Sequence, residues 1–179
     1  MNIKIAYQGR PGAYSHLACK EAFPKSVPIA CETFEEVFEK THKGETNISF
    51  IPVENSQAGR VADIHNLLPR TKLVITGEFF FKINHQLLGV KETNLEKIKF
   101  AVSHFHALAQ CRDFLQENNI KPILGTDTAG AAEILSKKNH KDTAAIASSL
   151  AAEIYNLKIL KKDIQDAHHN TTRFFIMKD

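Results

Sequence analysis

The chain has 179 residues, of which 43% are hydrophobic and 24% are charged, a composition that excludes an intrinsically disordered protein. Its 23 basic and 20 acidic residues are scattered and give a formal net charge of +3, so no nucleic-acid-binding surface is expected. No apolar run approaches the roughly 18 residues of a membrane helix, and the N-terminal stretch lacks the apolar segment of a signal peptide, which predicts a cytoplasmic protein that does not bind membranes.

Runs rich in Val, Ile and Phe alternate with stretches of helical period, which predicts an α/β fold with mainly parallel strands. Strands are expected near 2–7, 27–31, 48–53, 72–88, 100–103, 121–125, 143–147, 158–161 and 172–177. Helices are expected over 33–44, 61–68, 106–119, 127–138 and 148–156. Thr33, followed three residues later by Glu36, predicts a capping box at the start of one helix, and Gly44 is suited to end it.

The stretch KLVITGEFFFKINHQLLG, residues 72–89, is too long for one ordinary strand. We interpret it as two strands separated by a bend, where the chain crosses from one lobe to another. The predicted division is a first α/β lobe of residues 1–76 plus 167–179 and a second α/β lobe of residues 77–166. The site is then expected between the two lobes.

The sequence offers no pattern that predicts a metal or a cofactor. Three cysteines, Cys19, Cys31 and Cys111, contain no CxxC pair and fit buried thiols in a reducing compartment. The histidines at 104 and 106 and those at 168 and 169 are far apart in sequence, which disfavours a metal site. The loop GRPG is not a dinucleotide fingerprint, and the phosphate-binding GKS/T sequence is absent, so we expect no cofactor.

Unusually polar loops follow several predicted strands. They are QGRPGAYS (8–15), ENSQAGR (54–60), SHFHALAQC (103–111) and TDTAGAA (126–132). In open α/β sheets ligands bind beyond the carboxyl ends of strands, where helix N-termini favour an anion. Each loop taken alone is equally explained as a turn or as a capped helix start.

Seven segments that span the whole chain are informative when they are taken together: YQGRPGAYSHLA (7–18), IPVENSQAGRVADIHNLL (51–68), HQLLG (85–89), SHFHALAQC (103–111), DTAGAA (127–132), AAIASSLAAEIYNLKIL (144–160) and IQDAHHNTTRFFIM (164–177). As a set they resemble prephenate dehydratase, the enzyme of phenylalanine synthesis. The resemblance implies two α/β lobes around a cleft, like a type II periplasmic binding protein, in a homodimer. It implies that prephenate loses water and carbon dioxide to give phenylpyruvate, without a metal or a redox cofactor.

The same resemblance assigns residues to the site. It implies that Thr172, in the terminal Thr-Arg-Phe, is essential, and our hypothesis is that this residue assists departure of the ring hydroxyl. It also carries three other residues into the active site: Asn55, Ser103 and Gln110. Candidate substrate-binding residues are Arg173, Glu54, Ser56, Thr171 and Ser15. Because neighbouring strand residues point to opposite faces, Arg173 either supplies a cation for the substrate or points away from Thr172 and braces the strand.

Two departures from the family pattern affect these expectations. The family more often has SHPQ where this chain has SHFH at 103–106, although Ser103 and Gln110 keep their spacing. Family members usually continue into an ACT regulatory domain that binds phenylalanine. No ACT domain is expected in this chain, which is either a protein that naturally lacks that module or a catalytic fragment. Two other functions stay open, namely an arogenate dehydratase and a non-catalytic protein that binds a small anion.

Overall fold

The computed structural model describes residues 2–179, which form two compact units. The first unit contains residues 2–10, Tyr14–Ile83 and His169–Asp179, and the second contains Pro11–Ala13 and Asn84–His168. The sequence placed the first division after residue 76, whereas the units divide after Ile83. The physical reason is that one strand, Val74–Lys82, runs unbroken through the sheet of the first unit.

The first unit consists, within the described residues, of six strands, three α-helices and one 3-10 turn. In chain order they are β1 (Lys4–Gln8), α1 (Tyr14–Ala22), β2 (Val27–Cys31), α2 (Phe34–His42), β3 (Ile48–Asn55), β4 (Gly59–Arg60), α3 (Ala62–Leu67), the 3-10 turn Leu68–Arg70, β5 (Val74–Lys82) and, from the end of the chain, β11 (Thr171–Lys178). The main sheet has the order β2-β1-β3-β11-β5, and the short β4 pairs with β3. β1 is parallel to β2 and β3, while β11 is antiparallel to both β3 and β5.

The second unit is built in the same way around its own sheet. Its elements are β6 (Gln86–Gly89), the 3-10 turn Leu95–Lys97, β7 (Phe100–Ser103), α4 (Phe105–Ala109), α5 (Arg112–Glu117), β8 (Lys121–Leu124), α6 (Thr128–Lys138), β9 (Thr143–Ala147), α7 (Ser149–Ile154) and β10 (Lys158–Lys161). The sheet order is β10-β6-β9-β7-β8. β7 is parallel to β8 and β9, while β6 is antiparallel to β9 and β10.

The two sheets share one topology. When the short β4 is left out and strands are counted from β1 in the first unit and from β7 in the second, both sheets follow the order 2-1-3-n-4. Here n is the antiparallel strand, which is β11 in the first sheet and β6 in the second. Two compact α/β units, each with its own sheet, confirm the predicted fold class of two α/β lobes. Within residues 2–179, no helix combines the length and the apolar character that crossing a bilayer would need.

Most predicted elements are present where the sequence placed them. The strands at 27–31, 100–103, 143–147 and 158–161 have the predicted bounds, and the stretch from Lys72 to Gly89 forms two separate strands. Thr33 caps α2 by accepting from the Glu36 amide, but the Glu36 carboxylate accepts from Glu32 instead of Thr33, one residue earlier than in a capping box. Gly44, with φ of 72°, follows the end of that helix.

Both sheets are covered by helices on each face, which explains their apolar strands. In the first unit, one core cluster includes Ala18 and Cys19 of α1 with Phe50 and Phe174 of the sheet, and another includes Val37 of α2 and Ile64 of α3. In the second unit, α4 and α5 contribute to one cluster, and α6 and α7 contribute to the other. Each unit therefore has its own hydrophobic core.

All three cysteines lie inside these cores as free thiols. Burial, partly offset by a hydrogen bond with Ser26, raises the pKa of Cys19 to about 12. Burial, reinforced by nearby Glu36, raises the pKa of Cys31 to about 11, and burial also raises that of Cys111. The thiolate, which is the reactive form of cysteine, is therefore disfavoured at all three positions.

We predict that native protein at pH 8 resists a thiol reagent such as iodoacetamide, whereas urea-unfolded protein is alkylated at all three cysteines. Thiol groups with raised pKa values stay protonated at this pH, and burial denies the reagent access. Mass spectrometry of the modified protein measures the number of adducts. Rapid alkylation of any cysteine under native conditions would contradict the buried placement.

Candidate functional site

A cluster of polar side chains lies where β11 begins beside the end of β3. The antiparallel register places Thr172 opposite Asn55 and Arg173 opposite Glu54. The register then shifts, so that Phe174 lies opposite Pro52 and one residue of β3 is bulged. A bulge accommodates a proline and redirects the side chains beside it, and bulges are frequent next to active sites.

The Asn55 side chain uses all four of its hydrogen-bonding positions within the first unit. Its Oδ1 accepts from the backbone amides of Gln57 and Ala58, both at 2.8 Å. Its Nδ2 donates to Asn170 Oδ1 at 2.8 Å and to Thr172 Oγ1 at 2.9 Å. Because two backbone N–H groups bind the oxygen, the orientation of the amide is fixed and its nitrogen must face Thr172.

This contact determines what the Thr172 hydroxyl can do. An amide nitrogen only donates, so Thr172 Oγ1 must act as the acceptor in the bond with Asn55. Thr172 forms no other side-chain hydrogen bond with residues 2–179, which leaves its hydroxyl hydrogen without an acceptor in that part of the chain. Thr172 is largely buried, with 9% of its surface exposed, so it is held in place while its hydroxyl can donate to a ligand.

Ser56 and Thr171 fasten the same turn to the strand. The Ser56 amide donates to the Thr171 carbonyl at 2.9 Å, and the Thr171 amide donates to Ser56 Oγ at 3.0 Å. Ser56 Oγ in turn donates to the carbonyl of His169 at 2.9 Å. Ser56 thus uses its hydroxyl both as donor and as acceptor, and the turn after β3 is closely tied to residues 169–171.

Arg173 lies on the opposite face of the strand from Thr172, as the alternation predicts. Its guanidinium binds Glu78 at 2.6 and 2.7 Å and Glu54 at 3.2 Å, and its central carbon lies 5.1 Å from the ring centroid of Phe175. The hydrogen bonds with Glu78 and then Glu54 raise the pKa of Arg173. Two carboxylates therefore neutralise this cation, and the ion pairs connect β3, β11 and β5.

The two predicted site residues of the second unit, Ser103 and Gln110, form hydrogen bonds with different partners. Ser103, at the end of β7, is fully buried and its hydroxyl donates to the carbonyl of Ile146 in β9 at 2.6 Å. Gln110 is half-buried at the end of α4, and its Oε1 lies 2.7 Å from Nε2 of His85. His85 is 3% exposed, and burial lowers its pKa, so its imidazole is neutral at pH 7.

The first polar loop is explained mainly by backbone geometry. The carbonyl of Gly12 accepts from the Ser148 hydroxyl at 2.6 Å, and that of Pro11 accepts from the Tyr155 hydroxyl at 2.7 Å. Gly12 has φ of 89°, a backbone conformation that favours glycine, and a Cβ atom there would lie 3.0 Å from Cα of Ala151. Both the backbone conformation and this close contact therefore disfavour any larger residue. Ser15 lies in the first turn of α1 in the other unit.

The histidines of the third loop act as local structure. His104 caps α4, with Nδ1 accepting from the His106 amide at 3.3 Å, and the two ring centroids are 5.3 Å apart. Burial, with a smaller contribution from His106, lowers the pKa of His104. Across residues 2–179, no group of three or more His, Cys, Asp or Glu side chains is arranged to hold a metal ion.

The structure thus brings together four of the nine predicted site residues, all in the first unit: Asn55, Ser56, Thr171 and Thr172. Arg173 and Glu54 contact each other on the other face of the strands. Two residues important for the geometry were absent from the predicted site, namely Asn170 and His85. Both lie inside segments that carried the family resemblance, and this location was the only feature of the sequence that could have indicated their importance.

Comparison with known proteins is consistent with this geometry. The sequence model of the prephenate dehydratase family matches residues 5–179. The bifunctional N-acyl-homoserine lactone acylase/prephenate dehydratase of Komagataeibacter europaeus is 45% identical over 172 residues, which cover 96% of this chain and 61% of that protein. The chloroplastic arogenate dehydratase/prephenate dehydratase 6 of Arabidopsis thaliana is 41% identical over 178 residues, which cover 98% of this chain and 43% of that protein.

A solved structure matches equally broadly. Prephenate dehydratase from Arthrobacter aurescens, in complex with L-Phe, has a TM-score of 0.90 at 27% identity, covering 98% of this chain and 60% of that one. The common strand order of the two sheets defines a protein of two α/β units. The chain belongs to the prephenate dehydratase family. It spans 43–61% of the length of the two curated relatives.

We predict that Asn55→Asp lowers the free energy of unfolding by about 1–3 kcal/mol, because a carboxylate oxygen then faces the acceptor Asn170 Oδ1 and the hydrogen bond that Nδ2 donates to Thr172 Oγ1 is lost. The matched control is Asn47→Asp, since the oxygen of Asn47 accepts from the Lys4 amide at 2.8 Å and a carboxylate preserves that bond. Urea unfolding of both variants measures the difference. Equal stability of the two would contradict the assigned orientation of the Asn55 amide.

Proposed function

We propose that this chain is the catalytic part of a prephenate dehydratase, which converts prephenate to phenylpyruvate in phenylalanine synthesis. The observation that carries the proposal is the bond from Asn55 to Thr172, which leaves the Thr172 hydroxyl as a donor in a largely buried position. Membership of the family supports the reaction type. Following the same resemblance, we take the protein to be a homodimer, and we keep the cytoplasmic location that the sequence itself predicted.

In the proposed reaction the bond between the ring and its carboxylate breaks and releases carbon dioxide. The electron pair of that bond moves into the ring, which becomes aromatic as the carbon–oxygen bond of the ring hydroxyl breaks. The departing oxygen needs a proton to leave as water; Thr172 donates its hydroxyl proton to that oxygen, and solvent water returns a proton to Oγ1 once the products have formed. General acid assistance of this kind contributes about 10²–10⁴-fold to a rate.

A threonine hydroxyl is a weak acid, so its environment must stabilise the charge that develops on Oγ1. Asn55 Nδ2 donates to that oxygen at 2.9 Å, and this bond becomes stronger as the oxygen becomes more negative. Asn55 therefore acts through Thr172 in this proposal. Its own four bonds are already made to the protein, which distinguishes this role from direct orientation of the substrate.

We assign different roles to the other predicted residues. Gln110 offers an amide suited to a carboxylate or carbonyl of the substrate. Ser103 donates its hydrogen to Ile146, so its oxygen serves as an acceptor. Arg173 and Glu54 keep the bracing role that their ion pairs define, and Ser56 and Thr171 hold the turn. Ser15 stays a candidate for binding the substrate.

The test of the mechanism is Thr172→Val, which keeps the shape of the side chain and removes its hydroxyl. We expect the turnover number to fall by about 10²–10⁴-fold, while Thr172→Ser keeps measurable activity because it retains the donor. The matched control is Thr76→Val in β5, where the hydroxyl lost is one that donates to the Ile176 carbonyl at 3.1 Å. Phenylpyruvate is followed by its absorption in alkali, and circular dichroism checks the fold. Near wild-type turnover by folded Thr172→Val would remove Thr172 from the mechanism.

The main alternative is arogenate dehydratase, since curated relatives that match the chain carry that name. Arogenate has an amino group where prephenate has a keto group, so a single polar contact distinguishes the substrates. We expect a higher kcat/KM with prephenate when the two are supplied separately and phenylpyruvate and phenylalanine are quantified. A higher value with arogenate would reassign the substrate. Binding of either compound without product would instead indicate a non-catalytic anion-binding protein.

A further inference from the structure

The segment HQLLG contributed to the family resemblance, yet none of its residues enters the proposed mechanism. Its first residue, His85, is almost completely buried just before β6. The imidazole Nε2 lies 2.7 Å from Oε1 of Gln110, which is distant in sequence by 25 residues. A buried polar side chain that reaches a proposed substrate-binding residue warrants a functional explanation.

The contact between these side chains is reinforced by a third segment. The Ile164 amide donates to the His85 carbonyl at 2.9 Å, and the Asp166 amide donates to the Gln110 carbonyl at 2.8 Å. Between them, Oε1 of Gln165 accepts from the His85 amide at 2.8 Å. Three consecutive residues therefore hold the backbones of His85 and Gln110 at a fixed separation, which makes the contact of the two side chains a constrained one.

The chemistry of the pair determines which atom donates. The oxygen of a glutamine amide only accepts, so the hydrogen between the two side chains must lie on Nε2 of His85. Burial is the main reason that the pKa of His85 is lowered, and a neutral imidazole carries a single N–H. That hydrogen is committed to Gln110. In the structure Oε1 of Gln110 faces His85, which turns the NH₂ group away from the imidazole, and a hydrogen on Nε2 is the tautomer that matches this orientation.

We propose that His85 is a positioning residue, which fixes the amide orientation of Gln110 so that its NH₂ group is presented to the substrate. This inference rests on the proposed function, because Gln110 is taken there to contact the substrate. Loss of this bond removes the donor that faces Oε1, so His85 no longer favours the amide orientation that turns NH₂ toward the substrate. Binding and turnover would then both include the cost of reorienting the side chain.

The first test compares two substitutions of His85 that are both neutral amides. Glutamine carries its amide nitrogen about as far along the side chain as histidine Nε2, whereas asparagine reaches only the position of Nδ1. We expect His85→Asn to lower kcat/KM by about 10–100-fold and His85→Gln to recover most of that loss. Thr46→Val, which removes a buried hydroxyl bonded to Thr41 at 2.8 Å, is the control for a destabilised but correctly positioned protein. Equal losses in His85→Asn and His85→Gln, or no loss in His85→Asn, would overturn the proposal.

The second test is a double-mutant cycle with Gln110→Ala. If His85 acts through Gln110, then His85→Asn lowers kcat/KM in the wild-type background but has no further effect once Gln110 is replaced. Losses that multiply independently would show that His85 does not act through Gln110. In that case the wild-type enzyme would still turn over substrate, so the failure would be separate from that of the proposed function.

A measurement without turnover completes the design. The side-chain ¹⁵NH₂ resonances of Gln110, assigned by their absence in Gln110→Ala, report directly on the orientation of the amide. We expect these resonances to shift in His85→Asn and to return toward the wild-type positions in His85→Gln. Unchanged resonances in His85→Asn would overturn the positioning role, whether or not the protein dehydrates prephenate.

Discussion

The antiparallel pairing of β11 with β3 is the constraint on which the first unit depends. It joins Thr172 to Asn55 across 117 residues of sequence, and it inserts the last strand between β3 and β5. The pairing is stabilised by Phe174, which is 1% exposed and stacks on Phe50 of β3 with ring centroids 4.5 Å apart. The apolar end of the chain therefore fixes the register, and the register fixes which polar side chains meet.

Local patterns predicted the elements well, because each depends on nearby residues. Strand 27–31 and helix α2 follow from a run of apolar residues or from a cap, and both are visible in a short window. The pairing of strands depends on contacts between distant residues, which no window contains. The end of β5 shows the difference, since Phe79 and Phe81 continue the first sheet beyond the position where the sequence placed the crossing.

The candidate site was predicted less completely than the fold. Asn55 and Thr172 were identified through the family resemblance. The sequence does not show that four hydrogen bonds occupy every donor and acceptor position of the Asn55 side-chain amide. Asn170 and His85 were missed because a buried amide or imidazole looks the same in sequence as an exposed one. For Arg173, strand alternation left two possibilities, a cation for the substrate or a brace that points away from Thr172, and the structure places it between two carboxylates.

Both candidate site residues that are proposed to donate to the substrate owe their orientation to a neighbour. Two backbone amides bind Oδ1 of Asn55, its nitrogen then donates to Thr172, and the Thr172 hydrogen is left to point elsewhere. A similar series of hydrogen bonds connects the segment 164–166 to His85, and His85 to the side chain of Gln110. In each unit, rigid backbone groups determine the direction of a side-chain donor through one intermediate residue. Hydroxyl and amide groups are weak acids, so their usefulness depends on direction and on stabilisation of charge more than on intrinsic acidity.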